Sequence, residues 1–455
     1  MESKTFSFRW FFNLALLFFP FCIFSVSCKK GNEPNLPDKP LPPLVIKKLA
    51  TADSVILLQE LPGGQKEAQR LAQNFRASDF SPTGFYLPPG GTVTLDLSFI
   101  KGAHSPVLLV GTYSRYQDKW NPSSYTLNAG NNTITDATGG ILYIRFVNDV
   151  PDSQVQIKFI SGFKPIPFFQ SGKTTAAEWS AMLDSIKDVP DVQLVGKKTM
   201  ITYSYSNAIK YKTDDRQALV DLADRVIILE DSISGLFGAD PLDQPNVHRY
   251  LLTESDHPDY YMAATWYRTW YRTTDAVSAI LSANNLTWGP WHELGHMHQQ
   301  GSWTWNELTE VTVNIYSLAV QKALGLPSRL KADNTWGEAQ KYLAKPDGEK
   351  NFNASSVSVW VKLCLFQQLK LAFGEPFYHQ LHRAARREMN RPTTTDGKIK
   401  WFLLQSSKIS GKDLSGFFKK WGLQLSTPTL TDAAYSELAA LKLPVPDTDI
   451  TNLTD

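Results

Sequence analysis

Cysteine is nearly absent from this chain, with three in 455 residues: Cys22, Cys28 and Cys364. A disulfide-stapled fold is therefore excluded, and packing must hold the core. Net charge is equally scarce, 46 Lys and Arg standing against 44 Asp and Glu. Without a basic surplus, nucleic acid is not an expected partner. No repeat of solenoid period occurs. Long apolar runs are missing too: Trp10 to Phe24 is interrupted by Asn13 and Pro20 and is too short for a comfortable membrane span.

That first run reads instead as an export signal, with Lys4 and Arg9 ahead of it. Ser25-Val26-Ser27-Cys28 follows and resembles a bacterial lipobox with serine where leucine is commoner. Residues 1–27 are thus expected to be a lipoprotein signal peptide and Cys28 the lipid-carrying first residue of the mature chain. Removing the signal removes Cys22, which leaves Cys364 as the one thiol and forbids an internal disulfide. Residues 28–45, rich in proline and polar groups, are expected to form a flexible tether. The resulting location is the bacterial cell envelope, lipid-anchored, with the outer membrane as the expected site.

Between Thr83 and Ile160 short alternating runs such as Thr92-Val93-Thr94-Leu95 are separated by glycine and asparagine turns. They predict an all-β sandwich over 46–164. Leu57-Leu58-Gln59-Glu60 and Gln65 to Ala72 read as a leading helix. Past Pro165 the texture becomes mixed: a strand over Met200 to Tyr205, a helix over Arg216 to Phe237, then long helical patterns. This suggests a catalytic domain over 165–330 and a helical C-terminal part of the same region over 331–455.

The chemistry is concentrated in His292-Glu293-Leu294-Gly295-His296. On a helix, the four-residue step places both imidazoles on one face with a carboxylate beside them. Two neutral imidazoles can hold one Zn²⁺, and Glu293 can act as general base toward water activated there. Pro290 suits a helix start and Gly301 a stop, so the helix is expected to run between them. His298 points to another face and reads as a surface histidine.

A catalytic zinc needs a third ligand. Asn306 to Val320 reads as a helix N-capped by Asn306, with Glu307, Glu310 and Asn314 at i, i+3 and i+7 on one face. Helix geometry allows either glutamate to reach the metal. Asn314 is a candidate to orient a ligand imidazole.

The run from His292 to Gln299, followed by Thr309-Glu310-Val311-Thr312-Val313-Asn314-Ile315-Tyr316-Ser317, resembles the M60 (enhancin-like) metallopeptidases. Their pattern is HExxH, a gap, then a ligand Glu in a run similar to E-V-T-x-N-I. Matched position by position, the resemblance puts the third ligand at Glu310. Thr83 to Gly90, Gly139 to Ile144 and Asp413 to Gly422 extend the likeness over most of the chain. The family's glycine-tyrosine-proline run is not obvious, and Asp259-Tyr260-Tyr261-Met262 stands in its place. The resemblance implies an N-terminal all-β sandwich followed by a mixed α/β, mostly helical zincin-type metallopeptidase domain, one Zn²⁺, and a substrate cleft beside the motif helix.

It also implies cleavage of glycoproteins, including mucin-type O-glycosylated ones. Trp266, Trp270, Trp303 and Trp305 are then candidates for the walls of the substrate groove, since aromatic faces stack on sugar rings. Expected partners are a glycoprotein substrate and, through the lipid, a membrane. Two other readings stay open: a non-enzymatic glycan- or glycoprotein-binding surface lipoprotein, and a zinc aminopeptidase.

Overall fold

The computed structural model describes residues 54–455 and the strand Val45–Ile46. The expected signal peptide, Cys28 and most of the expected tether lie outside the described residues. Among the described residues no helix is long and apolar enough to cross a membrane.

The N-terminal part is built from two five-stranded sheets in which every pairing is antiparallel. One has the order Val45–Ile46, Ser54–Gln59, Gln154–Ser161, Thr92–Lys101, Gly130–Thr135. The other runs Lys164–Pro165, Ser81–Leu87, Gly140–Arg145, Val107–Val110, Ser123–Thr126. Alternate side chains from both, including Ile56, Leu95, Ile157, Phe85, Leu108 and Leu142, meet in one apolar core. Leu57 to Gln59, expected as helix, belong to the strand Ser54–Gln59. The six cross-strand partners offered by Gln154–Ser161, about a hundred residues away, outweigh the local helix propensity of leucine and glutamine. Helix Gly64–Leu71 follows that strand rather than including it.

A second interior joins this part to the rest: Phe80, Tyr113, Ile141 and Tyr143 pack with Phe168, Val195, Met200 and Leu251. The latter residues belong to or adjoin a six-stranded mixed sheet ordered Phe168–Gln170, Asp191–Val195, Thr199–Ser204, Tyr250–Ser255, Arg268–Arg272, Met262–Thr265. Its central strands are covered on both faces, which is why Tyr250–Ser255 is buried along its whole length. Met262–Thr265 is the sheet's edge and is only half-buried.

Helix Arg216–Ile233, N-capped by the Asp215 carboxylate accepting from the Ala218 N–H, covers one face of this sheet. The motif helix Trp288–His296 buries Trp291 and Leu294 in the same core. Helix Thr309–Ala323 stands between two interiors: Val320 enters the sheet core, while Val311, Ile315 and Leu318 enter a helical core built mainly from residues 330–453. That helical core crosses residue 330, so the C-terminal helices are packed as one body with the Thr309–Ala323 helix.

Helix ends differ from the sequence expectation. The motif helix begins two residues before Pro290 and stops at His296, five short of Gly301. Met297, His298 and Gln299 fold back onto the carbonyls of Leu294 and Gly295 in tight turns. Asn306 is no N-cap; it opens a 3-10 turn, Asn306–Leu308, and the α-helix starts at Thr309.

Candidate metal centre

The motif helix and the Thr309–Ala323 helix cross closely because Gly295 has no side chain. A Cβ there would lie 2.9 Å from the Val313 carbonyl oxygen and 3.3 Å from the Tyr316 Cβ. At this crossing His292, His296 and Glu310 converge, with one donor atom from each lying within 4.8 Å of the others. Glu310 Oε2 is 3.1 Å from His292 Nε2 and 3.7 Å from His296 Nε2. Glu307, left equal to Glu310 by spacing, sits instead in the 3-10 turn and faces a polar hollow shared with Asn353, Asp396 and Ser426. The late start of the α-helix is what separates the two glutamates.

Both imidazoles are held from behind. His292 Nδ1 lies 2.8 Å from Asn314 Oδ1, and Asn314 Nδ2 donates to the Glu310 carbonyl at 2.9 Å. His296 Nδ1 lies 2.7 Å from Gln299 Oε1, whose Nε2 donates to the Thr309 carbonyl and to Thr312 Oγ1. Each amide nitrogen is turned toward a backbone carbonyl, so its oxygen faces the imidazole and accepts from Nδ1–H. Both Nε2 atoms are thereby turned toward Glu310. Gln299 was missed in the sequence because it lies beyond the helix end; the signal that could have found it was its polarity among buried neighbours.

Electrostatics tie the cluster together. Burial disfavours a charged His292, but the Glu310 hydrogen bond, with help from Glu293 and Asn314, overrides it and raises His292 to about 9. Burial likewise works against an ionised Glu310, yet the two histidines hold its carboxyl well below the usual range. Glu293 is buried beside them, and loss of solvent raises its carboxyl while His292, His296 and the Ala264 N–H oppose the rise. A carboxylate lifted toward working pH, next to an array that can hold a metal ion, is suited to proton transfer.

The aromatic candidates separate. Trp303 and Trp305 are core residues, 0% and 1% exposed, with indole N–H groups donating to Gln300 and Asn353. They do not wall a groove: the chain after the motif helix turns inward beneath the C-terminal helices. Trp270 is also buried, with its ring against Trp120, His257 and Tyr260. Trp266, at the turn between the edge strand and Arg268–Arg272, is 62% exposed. His298 is fully buried rather than on the surface, its ring between Glu230 and Asp231 at 2.9 and 3.2 Å. The early helix end points it into the core instead of along the helix face. Cys364 is buried and free, and burial pushes its thiol well up, as expected of a small apolar packer.

Comparison with known proteins agrees with this architecture. A conserved protein of unknown function from Bacillus anthracis str. Ames is 32% identical and superimposes with a TM-score of 0.80, over 89% of this chain and 81% of that one. The M60 catalytic domain of Clostridium perfringens ZmpC, solved with the sialyl T antigen, shares the fold at 19% identity and a TM-score of 0.74, over 88% of this chain and 82% of that one. TRPM8 channel-associated factor 3 of Rattus norvegicus is 26% identical over 75% of this chain, which spans only 38% of that relative's length. Residues 63–159 match the N-terminal domain of M60-like peptidases. Residues 162–422 match Peptidase M60, enhancin and enhancin-like, and the chain belongs to that metallopeptidase family.

Proposed function

We propose that this protein is a zinc-dependent endopeptidase that cuts extracellular glycoproteins, mucin-type O-glycosylated ones among them. The observation that carries the reading is the convergence of His292 Nε2, His296 Nε2 and Glu310 Oε2 with Glu293 beside them. Donors about 2.0–2.1 Å from a tetrahedral zinc stand about 3.3 Å apart. The 3.1 and 3.7 Å separations bracket that value, so the donor set fits zinc in size as well as in chemistry.

His292, His296 and Glu310 are the zinc ligands in this reading, and the bound ion supplies Lewis acidity toward water and the scissile carbonyl. Asn314 and Gln299 fix the imidazole orientations. Glu293 takes a proton from the attacking water and returns it to the leaving amine. Met262–Thr265 offers a free sheet edge against the motif helix, where an extended peptide can lie with its backbone hydrogen-bonded. Trp266, exposed at the end of that edge, is placed to stack on a substrate sugar.

Support for the glycan part comes from relatives of the same fold: the ZmpC domain was solved with the sialyl T antigen and another metallopeptidase with the Tn antigen. Cys28 acylation would hold the enzyme at the outer membrane, where such substrates are met. Incubation with a mucin glycoprotein, with and without a chelator, followed by sequencing of new termini, tests the whole reading. Internal cleavage abolished by the chelator is expected. Intact mucin, or release of single terminal residues only, refutes it, the latter in favour of an aminopeptidase. A binding protein without catalysis has one point in its favour: its curated relatives are named for channel association. Binding to mucin without cleavage would decide for it.

A further inference from the structure

We propose that the N-terminal domain carries a second transition-metal site, formed by Glu60, His104 and Asp152. Among the described residues, only this trio and the catalytic one bring three potential ligand atoms within 4.8 Å of one another. The three residues come from adjacent strands. Glu60 follows Ser54–Gln59, Asp152 precedes Gln154–Ser161, and His104 lies just past Thr92–Lys101; the sheet order makes these strands neighbours, and antiparallel pairing puts the three ends together.

His104 Nδ1 is 3.0 Å from Glu60 Oε1, 2.9 Å from Glu60 Oε2 and 3.3 Å from Asp152 Oδ1. These separations approach the donor spacing of about 3.3 Å around a four-coordinate zinc. The carboxylates are oriented as ligands usually are, by a surrounding set of donors. Glu60 Oε2 accepts from the N–H groups of Asp152 and Ser153, and Asp152 Oδ1 accepts from Ser153 Oγ. That leaves Glu60 Oε1 with His104 as its one protein partner. Gly102, at φ +68°, lets the His104 loop close on Ser153, where any Cβ would overlap the serine hydroxyl. Glu60 is buried, whereas the His104 and Asp152 side chains are 41% and 59% exposed, so an ion can enter from solvent and keep water in a remaining position.

One imidazole and two carboxylates suit zinc or a neighbouring transition ion better than calcium or magnesium, which favour all-oxygen shells. A bound ion would tie three strand-end loops together far in sequence from the catalytic motif, and so acts on stability rather than turnover.

The test begins with the full chain carrying His292→Ala and His296→Ala, which removes the catalytic trio. Zinc titration by calorimetry, with metal analysis after gel filtration, should find one ion per chain and a melting temperature that rises with zinc. His104→Ala, and separately Asp152→Asn, which preserves the Ser153 hydrogen bond, should each lower zinc affinity at least tenfold and abolish the melting shift. In the otherwise intact enzyme, the same two substitutions should reduce bound zinc from two to one without changing peptidase turnover. Zinc binding by the parent that is absent, equal in the two variants, or outcompeted by calcium overturns the assignment.

Discussion

Gln299 offers the sharpest test of how His292, His296 and Glu310 are held together. It is 2% exposed and makes three hydrogen bonds, from His296 Nδ1 and to the Thr309 carbonyl and Thr312 hydroxyl. Gln299→Leu keeps the bulk and removes all three. His296 Nδ1–H is then buried without this partner, at about 1–3 kcal/mol, and the Thr309 carbonyl and Thr312 hydroxyl each lose one hydrogen bond, at about 0.5–1.5 kcal/mol, so the metal-free protein should lose roughly 2–6 kcal/mol. With its ring no longer oriented, His296 should bind zinc about 10–100-fold more weakly. Gln299→Glu separates the two effects: a carboxylate still accepts from Nδ1–H but cannot donate to Thr309 or Thr312. It should recover most of the zinc affinity, and of the stability only the part that rests on the His296 Nδ1–H bond. Zinc dissociation constants from competition with a chromophoric chelator, beside urea unfolding of the metal-free variants, give both numbers. Zinc affinity in Gln299→Leu within twofold of the parent would show that Gln299 does not position the ligand.

Glu293→Gln should retain zinc by metal analysis yet lose about 10²–10⁴-fold in kcat/KM, the usual contribution of a general base; near-normal cleavage would exclude that role. Zinc uptake should release protons at neutral pH. His292 is raised to about 9 by Glu310 against the opposing effect of burial, so it is protonated in the metal-free site and must give up that proton. Calorimetry in buffers of different ionisation enthalpy should show the release, and zinc affinity should climb from pH 6.5 toward 9; a pH-independent affinity contradicts the pairing. By the same shift, the metal-free protein draws stability from charged His292 that is fully present below about pH 6.5 and lost as pH rises through about 9. Trp303→Ala should destabilise by about 3–5 kcal/mol as a core truncation. Trp266→Ala should leave stability within about 0.5 kcal/mol and slow cleavage of glycosylated peptides more than of bare ones.

The sequence alone determined the identity of the motif. Spacing of four between His292 and His296 is a local property of one helix turn, so it was legible without any knowledge of packing. Alternation in residues 92–97 was legible for the same reason, whereas Gly140–Arg145 is buried on both faces, Leu142 and Ile144 in one core and Ile141 and Tyr143 in the other. What lay beyond reach was every feature fixed by contacts distant along the chain. The strand at Leu57 exists because Gln154–Ser161 pairs with it. Spacing left Glu307 and Glu310 equal, and only the family resemblance pointed to Glu310; the physical reason is where a 3-10 turn yields to α-helix, beside Trp305 and Leu308 in the helical core. Trp303 and Trp305 could not be told from groove residues, because an indole looks the same in sequence whether the chain turns toward solvent or under a helix. His298 and Gln299 gained their partners only when the motif helix ended early and the chain folded back, bringing Glu230, Asp231 and Thr312 within hydrogen-bond reach. Periodicity is written residue by residue, whereas the partners that orient an imidazole are supplied by whatever the tertiary fold packs beside it.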